Sequence, residues 1–429
     1  MSGVTIKTKC ITGVFNTANR KDLTMAQYIC KGSKEYWQAI SSLFLGSFAT
    51  FAILYSPQPL IAIFAEQFSV TPAVASLTVS LATGPLAVCM LFAAWLSDAV
   101  GRKKIMVTAL LLSAVLMILA AFCSDFRALL LIRTLHGIVL AGFPAIAMVY
   151  VSEEFDPAII GLAIGIFISG NSVGGLAGRL VVSSISDVAS WQVALGSIGV
   201  ISLLGALWFS QRLPESRHFS ARKLPIKTLA TTFLNLLHNP LLVGIYAVSF
   251  LIMGSFVTLY NYIGCVLLAP PYELSQTLVG FIFVVYLVGT FSSTVMGKLS
   301  DSEGKAKVMS FGLIIMLAGC LTTLNPSLYI KIIGIAVFTF GFFGAHSVAS
   351  SWAGQCTDHD KAQSSALYLL FFYCGASIMG AVGGTLLVHY GWQGVVALIG
   401  LALITAVGIA LALFKYSHSS QVVRSNQAN

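Results

Sequence analysis

Four ionisable side chains interrupt long apolar runs of this 429-residue sequence: Arg133, His136, Arg179 and His346. An ionisable group in hydrocarbon costs about 2.5–3.5 kcal/mol on insertion scales, so each asks for a reason to be there. Histidine titrates near pH 6.5 unless shifted, which makes it the natural proton carrier where no buried carboxylate is at hand. None is at hand: all 15 Asp and Glu residues can be placed in loops or at the ends of apolar runs. His136 and His346 are therefore proton-pathway candidates, the alternative being a neutral histidine hydrogen-bonded between helices. Arg133 stands three residues before His136, on the same helix face. Its guanidinium can line a polar cavity, held by Gln58 and by the Tyr55 carbonyl, which Pro59 deprives of its helical donor. Alternatively it locks helices without meeting substrate, or snorkels outward. Arg179 falls within a turn of the end of its run and is expected to snorkel to the interface.

Nothing else in the sequence suits catalysis. There is no P-loop, H-x-x-x-H pair or carboxylate-rich cluster, so ATP hydrolysis, a bound metal and a cofactor are not expected. The eight cysteines show no C-x-x-C and no paired spacing, and read as small hydrophobes within or beside helices. The net charge of +9 does not gather into a patch that would suit nucleic acid. It sits in short clusters between apolar runs, as juxtamembrane anchors do.

The elements that must position these side chains are membrane helices. Apolar residues make up 57% of the chain and charged ones 9%, against roughly a quarter charged in soluble domains. No soluble fold can hide that much apolar surface. Apolar runs fall near 40–64, 72–96, 105–123, 127–151, 159–182, 192–210, 241–266, 276–298, 307–324, 330–352, 363–387 and 394–414. Each approaches the about 20 residues a spanning helix needs. They are continuous rather than alternating, which excludes membrane strands. A polar stretch at 211–238, with five basic residues, predicts a linker between bundles at 39–210 and 239–416, with tails at 1–38 and 417–429. The first 38 residues lack the apolar core of a signal peptide, and Met25 is an alternative start. With the N-terminus in the cytoplasm, 20 of the 24 Lys and Arg residues fall inside and only Arg127 and Lys331 outside. Both termini are thus predicted to be cytoplasmic.

An internal repeat sharpens this. Asp98, Gly101, Arg102 and Lys104 follow the second run, and Asp301, Gly304, Lys305 and Lys307 follow the eighth, at a constant offset of 203 residues. The two loops resemble the G-x-L-x-D-x-x-G-R-K signature of the major facilitator superfamily, and the resemblance spans residues 39 to 415. Arg133-Thr-Leu-His136-Gly137 resembles the family's R-x-x-Q-G motif, and Gly170-Asn171-Ser-Val-Gly174-Gly175 the G-P-x-x-G-G motif of its exporters. The stretches YSPQP at 55–59 and FVTLYNYIG at 256–264 are similar to bacterial inner-membrane transport proteins of the drug/sugar-efflux type. Ala94 replaces the first loop's glycine, His136 the usual glutamine and Asn171 the exporter proline, which weakens the inference to antiport.

The resemblance implies an all-α integral membrane protein of twelve transmembrane helices in two pseudo-symmetric six-helix bundles. It implies a monomer that moves a small drug-like or sugar-like molecule outward across the inner membrane in exchange for protons. Asp98, Gly101, Arg102 and Lys103, with Asp301, Gly304 and Lys305, are expected to form a charged latch at tight glycine turns. The resemblance makes Glu153 and Glu154 partners of Arg102 there. Gly170, Gly174 and Gly178, and again Gly380 and Gly384, form small-residue ridges for close helix packing. Tyr260, Asn261, Tyr262, Tyr368 and Tyr373 are candidates for the second half's cavity wall, with Tyr55, Gln58 and Asn171 facing them. Uptake or facilitated diffusion without a proton stays open, given the missing mid-membrane carboxylate. A membrane enzyme would need convergent catalytic groups, and a receptor a sizeable sensory domain.

Overall fold

Twelve spanning helices make up most of the described residues. The computed structural model describes residues 28–219, 226–357 and 360–428. The basic residues counted within 1–27, Arg222 and Lys223, the alternative start at Met25 and Cys10 lie outside them. The first ten spans are Lys34–Gln67, Pro72–Val100, Arg102–Ala120, Phe126–Glu154, Ile160–Val188, Trp191–Arg212, Pro240–Leu268, Gln276–Glu303, Lys305–Thr322 and Leu328–Gln355. A last continuous helical stretch, Lys361–Ala428, breaks at Gly391, whose φ of 61° and ψ of −157° divide it into an eleventh span at 361–390 and a twelfth from 392. Most spans outrun the apolar runs by several residues, because polar caps carry the helix past the hydrocarbon. Ser33, Thr71, Asp125, Ser190, Asn239 and Ser275 each accept a first-turn backbone N–H.

Burial is inverted relative to a soluble protein. Arg133, His136, Ser47, Thr78 and Asn261 are buried, whereas Phe92, Leu131, Leu204 and Leu401 stand exposed around the outside. Lipid provides no hydrogen bonds, so polar groups turn inward and apolar ones outward. The repeat is visible in the backbone: Gly101 (φ 111°, ψ 143°) and Gly304 (φ 90°, ψ 141°) share one conformation, in a φ range that suits glycine. Between the halves, Ile226–Leu237 forms a helix within the expected linker, with Leu236 buried.

The first glycine ridge performs the packing its spacing suggests. A Cβ on Gly170, Gly174 or Gly178 would lie 2.6 Å from Phe44 O, 2.2 Å from Phe48 O and 2.8 Å from Ala52 Cα, so the fifth span lies directly on the backbone of the first. The matching contact in the second half uses Gly375, where an added Cβ would run into the Phe250 carbonyl. An added Cβ on Gly384 would instead meet the backbone of Ala73 of the first half. Gly380 lies against Val257 and Asn261, with the Ser80 hydroxyl of the first half beyond them at 3.6 Å.

Among the described residues, the hydrogen bonds found between the two halves lie on one side, beside apolar contacts. Gln58 Nε2 donates to Asn261 Oδ1 at 2.8 Å and Gln276 Nε2 to Pro59 O at 2.7 Å. Ser377 Oγ donates to Ser80 O at 2.8 Å, Ser76 Oγ to Gly380 O at 3.4 Å, and Thr277 Oγ1 to Asp187 Oδ2 at 2.7 Å. These residues lie at mid-depth or toward the face opposite the loops of Arg102 and Lys305. Gly174→Ala should lower the melting temperature in detergent, by an overpacking penalty of about 1–3 kcal/mol. Gly161→Ala, where a Cβ meets nothing within 4 Å, should not; equal melting of the two variants would contradict the packing.

Candidate functional site

A cavity of about 140 Å³ opens between the halves, lined from the first, fifth, seventh, eighth, tenth and eleventh spans. Phe51, Phe256, Phe342, Phe343 and Phe372 make it largely aromatic, while Tyr55, Gln58, Asn171, Arg179, Tyr286, His346 and Tyr373 supply polar atoms. Of the residues singled out in the sequence, Tyr55, Gln58, Asn171, His346 and Tyr373 line it. Asn261 and Tyr368 stand behind that lining. Tyr260 packs away from it, its hydroxyl 2.7 Å from Thr339 Oγ1, and Tyr262 OH donates to Gly380 O at 2.5 Å.

Of the places open to Arg133, the structure gives it a helix-bridging one, and Arg179 stands on the cavity wall rather than at the interface. Arg133 is fully buried and does not line the cavity. Its Nε donates to Thr78 O at 2.7 Å and its terminal nitrogens to Ile53 O at 3.0 Å and Leu54 O at 2.6 Å. Neither Gln58 nor the Tyr55 carbonyl holds it. The first helix ends at Tyr55, and Pro57 has no N–H to offer Ile53, so the last turn leaves carbonyls for the guanidinium. A proline does free the acceptor, but it is Pro57 rather than Pro59. His136 completes this cluster. A carbonyl can only accept, so Nε2 donates to Ser113 O at 3.1 Å, and Nδ1 is left to accept from Arg133 at 3.4 Å. Both ring nitrogens are engaged between helices, and a second ring proton would point at the guanidinium. His136 bridges helices within the described residues and does not line the cavity.

Arg179 does not snorkel. The fifth helix continues through Ser183 and Ser184 to Val188, which puts Arg179 nine residues, about 13 Å, from its end. It is 3% exposed and lines the cavity. Nε donates to Gln58 Oε1 at 2.8 Å and one terminal nitrogen to Gly175 O at 2.7 Å. The guanidinium carbon lies 4.5, 4.9 and 5.0 Å from the ring centroids of Tyr55, Phe283 and Tyr286. Arginine has donors only, so the Gln58 oxygen must face Arg179 and its amide nitrogen must face Asn261. The chain Arg179–Gln58–Asn261 therefore links the halves in one sense. Desolvated cation–π contacts supply about 2 kcal/mol each, which offsets part of the several kcal/mol lost on taking the charge out of water. Among the described residues no carboxylate pairs with it.

On the opposite wall His346 Nδ1 lies 2.8 Å from Tyr368 OH, and its ring stacks on Phe342 at 5.7 Å and lies tilted against Phe372 at 4.6 Å. Ser47 Oγ donates to Asn171 Oδ1, so the residue at the exporter-proline position ties the fifth span to the first.

At the basic loops, Arg102 makes a bidentate pair with Glu153 (2.8 and 3.1 Å) and meets Asp98 at 2.5 Å. Glu154 is not its partner: that carboxylate holds His218, through its backbone N–H at 2.9 Å and Nδ1 at 3.1 Å. Lys103 pairs with Glu215 beyond the sixth span at 2.8 Å. The second half departs from the first. Lys305 donates to Gln355 rather than pairing with Asp301, so an amide stands where Glu153 stands in the first half.

Two six-helix bundles around a largely aromatic cavity between them have the architecture of a membrane transport protein. A family model described as Major Facilitator Superfamily matches residues 43–266 and again 261–428. The uncharacterized MFS-type transporter YybF of Bacillus subtilis (strain 168) is 44% identical over 383 residues, covering 89% of this chain and 95% of its own. The inner membrane transport protein YnfM of Escherichia coli (strain K12) is 42% identical over 393 residues, covering 92% and 94%. A solved structure of a bacterial homologue of the human lysosomal transporter Spinster, inward-facing and unoccupied, matches with a TM-score of 0.71 at 14% identity, over 89% of this chain and 97% of its own. The chain belongs to the major facilitator superfamily: it is a multi-pass membrane transporter of a small-molecule substrate and not an enzyme.

Arg133→Met should strand three buried carbonyls, at about 1–3 kcal/mol each, and lower the detergent melting temperature strongly. Wild-type melting in Arg133→Met would remove the helix-locking role.

Proposed function

We propose that this transporter exports a small amphipathic solute from the cytoplasm by alternating access, in exchange for protons. The observation that carries the direction is the placement of the inter-half hydrogen bonds. They draw the bundles together toward the face opposite the basic loops, and the positive-inside rule puts those loops in the cytoplasm. The cavity then loads from within. By the same rule both termini are cytoplasmic, and the likeness to YnfM favours the bacterial inner membrane, with lipid around a monomer. The aromatic lining favours an amphipathic body over a sugar, whose many hydroxyls would need more donors and acceptors than this wall offers.

His346 is the proton carrier in this reading. It is the histidine on the cavity wall, and Tyr368 holds its Nδ1. The Asp98–Arg102–Glu153 cluster acts as the cytoplasmic latch, made and broken as the bundles rock. A second reading, transport without protons, is favoured by the absence of any Asp or Glu from the cavity lining.

Counterflow in proteoliposomes, with and without an imposed pH gradient, separates the two. The proton reading expects acceleration by the gradient in the wild type and none in His346→Gln. Equal acceleration in both would remove His346 from the pathway. A wild type indifferent to the gradient would establish the second reading.

A further inference from the structure

We infer that the transported solute is an organic anion of single negative charge, bound through its acidic group by Arg179 with its apolar body against Phe256, Phe342 and Phe372. The inference rests on the cavity being the substrate site, as proposed above, and adds the chemical class that site accepts.

Arg179 is the fixed charge of the cavity wall, and its surroundings hold it there. Gln58 and the Gly175 carbonyl fix the guanidinium plane, and Tyr55, Phe283 and Tyr286 enclose it on three sides. A side chain so enclosed cannot reach water by rotating outward. Yet only two of its five N–H groups meet an acceptor among the described residues, and none of those acceptors is charged. Arg133, buried to the same degree, engages four donors. The contrast separates a guanidinium completed by the protein from one left incomplete. An incoming carboxylate, sulfonate or phosphate monoester supplies the missing acceptors and the missing charge together, in the planar or forked geometry that guanidinium groups favour.

The same wall argues against the other classes. A lipophilic cation would meet a like charge, with no carboxylate in the lining to offset it. A neutral sugar would leave the guanidinium uncompensated. A second negative charge would enter an aromatic chamber with one arginine to meet it. The tenth and eleventh spans contribute Phe342 and Phe372, and the seventh Phe256, which stacks on Phe342 at 3.8 Å between centroids. That apolar face accommodates a hydrocarbon or aromatic body behind the acidic group.

The test uses the full chain, purified in detergent, with benzoate, salicylate and hexanoate as anionic probes, glucose as the neutral one and tetraphenylphosphonium as the cation. Two readouts are taken: the melting temperature, and the rate at which a maleimide labels Ser172→Cys on the cavity wall. The carboxylates should raise melting and slow labelling, while glucose and tetraphenylphosphonium do neither. Benzoate affinity should fall about ten- to hundredfold in Arg179→Gln, the loss expected for a charged hydrogen bond, and less in Arg179→Lys. The labelling arm needs no change at Arg179, so the proposal stays exposed even if those variants fail to fold. It is overturned if no carboxylate protects, if tetraphenylphosphonium protects as well as they do, or if Arg179→Gln keeps full benzoate affinity. Counterflow of labelled benzoate separates this from the transport reading. Binding without counterflow would sink transport and leave the anion class standing. Counterflow of a neutral or cationic solute alone would do the reverse.

Discussion

Hydrocarbon offers no hydrogen bonds, and that constraint decides how this chain places its polar groups. Each charge or carbonyl within the spans must find a partner inside the protein. The proline-rich end of the first helix leaves Ile53 and Leu54 carbonyls without helical donors, and Arg133 crosses from the fourth span to take them. Gly137, one turn further along, lets that helix lie 2.3 Å from the Ala82 carbonyl as measured from its absent Cβ. The break, the arginine and the glycine form one unit that joins the first, second and fourth spans. Arg179 is subject to the same constraint and meets it only in part, and this sets the cavity apart from the rest of the interior.

The same economy governs motion. The halves are joined by side-chain hydrogen bonds, each of about 0.5–1.5 kcal/mol net between neutral groups and more to the Asp187 carboxylate, beside apolar residues of both halves packed in one core. The hydrogen-bonded part of that interface is light enough to break within a transport cycle. Its central member, the Gln58–Asn261 pair, is one bond removed from Arg179, so the site and the closure share an amide. An interior-negative membrane potential is worth about 2.3 kcal/mol per charge per 100 mV. It favours outward movement of an anion, in the same direction as the proposed proton exchange.

Much of this was legible in the sequence, because the membrane simplifies the code. Continuous apolar runs gave the spans, and the loops at Gly101 and Gly304 revealed the duplication, down to a shared backbone conformation. The ridge Gly170–Gly174–Gly178 gave the closest helix pair. Side-chain direction was harder. Arg179 lay near the end of an apolar run, but helices continue through serine pairs that are buried against neighbours, and Ser183 gave no sign of this. Arg133 stayed open between the cavity and a helix lock because depth along a span is visible in sequence and rotation about it is not. Cross-bundle partners, such as Gln276 with Pro59, sit 217 residues apart and carry no local signal. The split roles of Glu153 and Glu154 were equally hidden, since adjacent residues on a helix point about 100° apart.

The central claim is that the two bundles part and rejoin on the face sealed by Asp187 and Thr277. Its most direct test joins Asp187→Cys to Thr277→Cys with a short thiol cross-linker, the native cysteines having been replaced. Ser172→Cys, carried by the same variant, is then labelled by impermeant maleimides applied from each side of the membrane. The account expects cross-linking to abolish labelling from the outer side while leaving cytoplasmic labelling intact, and reversal of the link to restore both. Outer labelling that survives the cross-link, or cytoplasmic labelling that vanishes with it, would contradict the account.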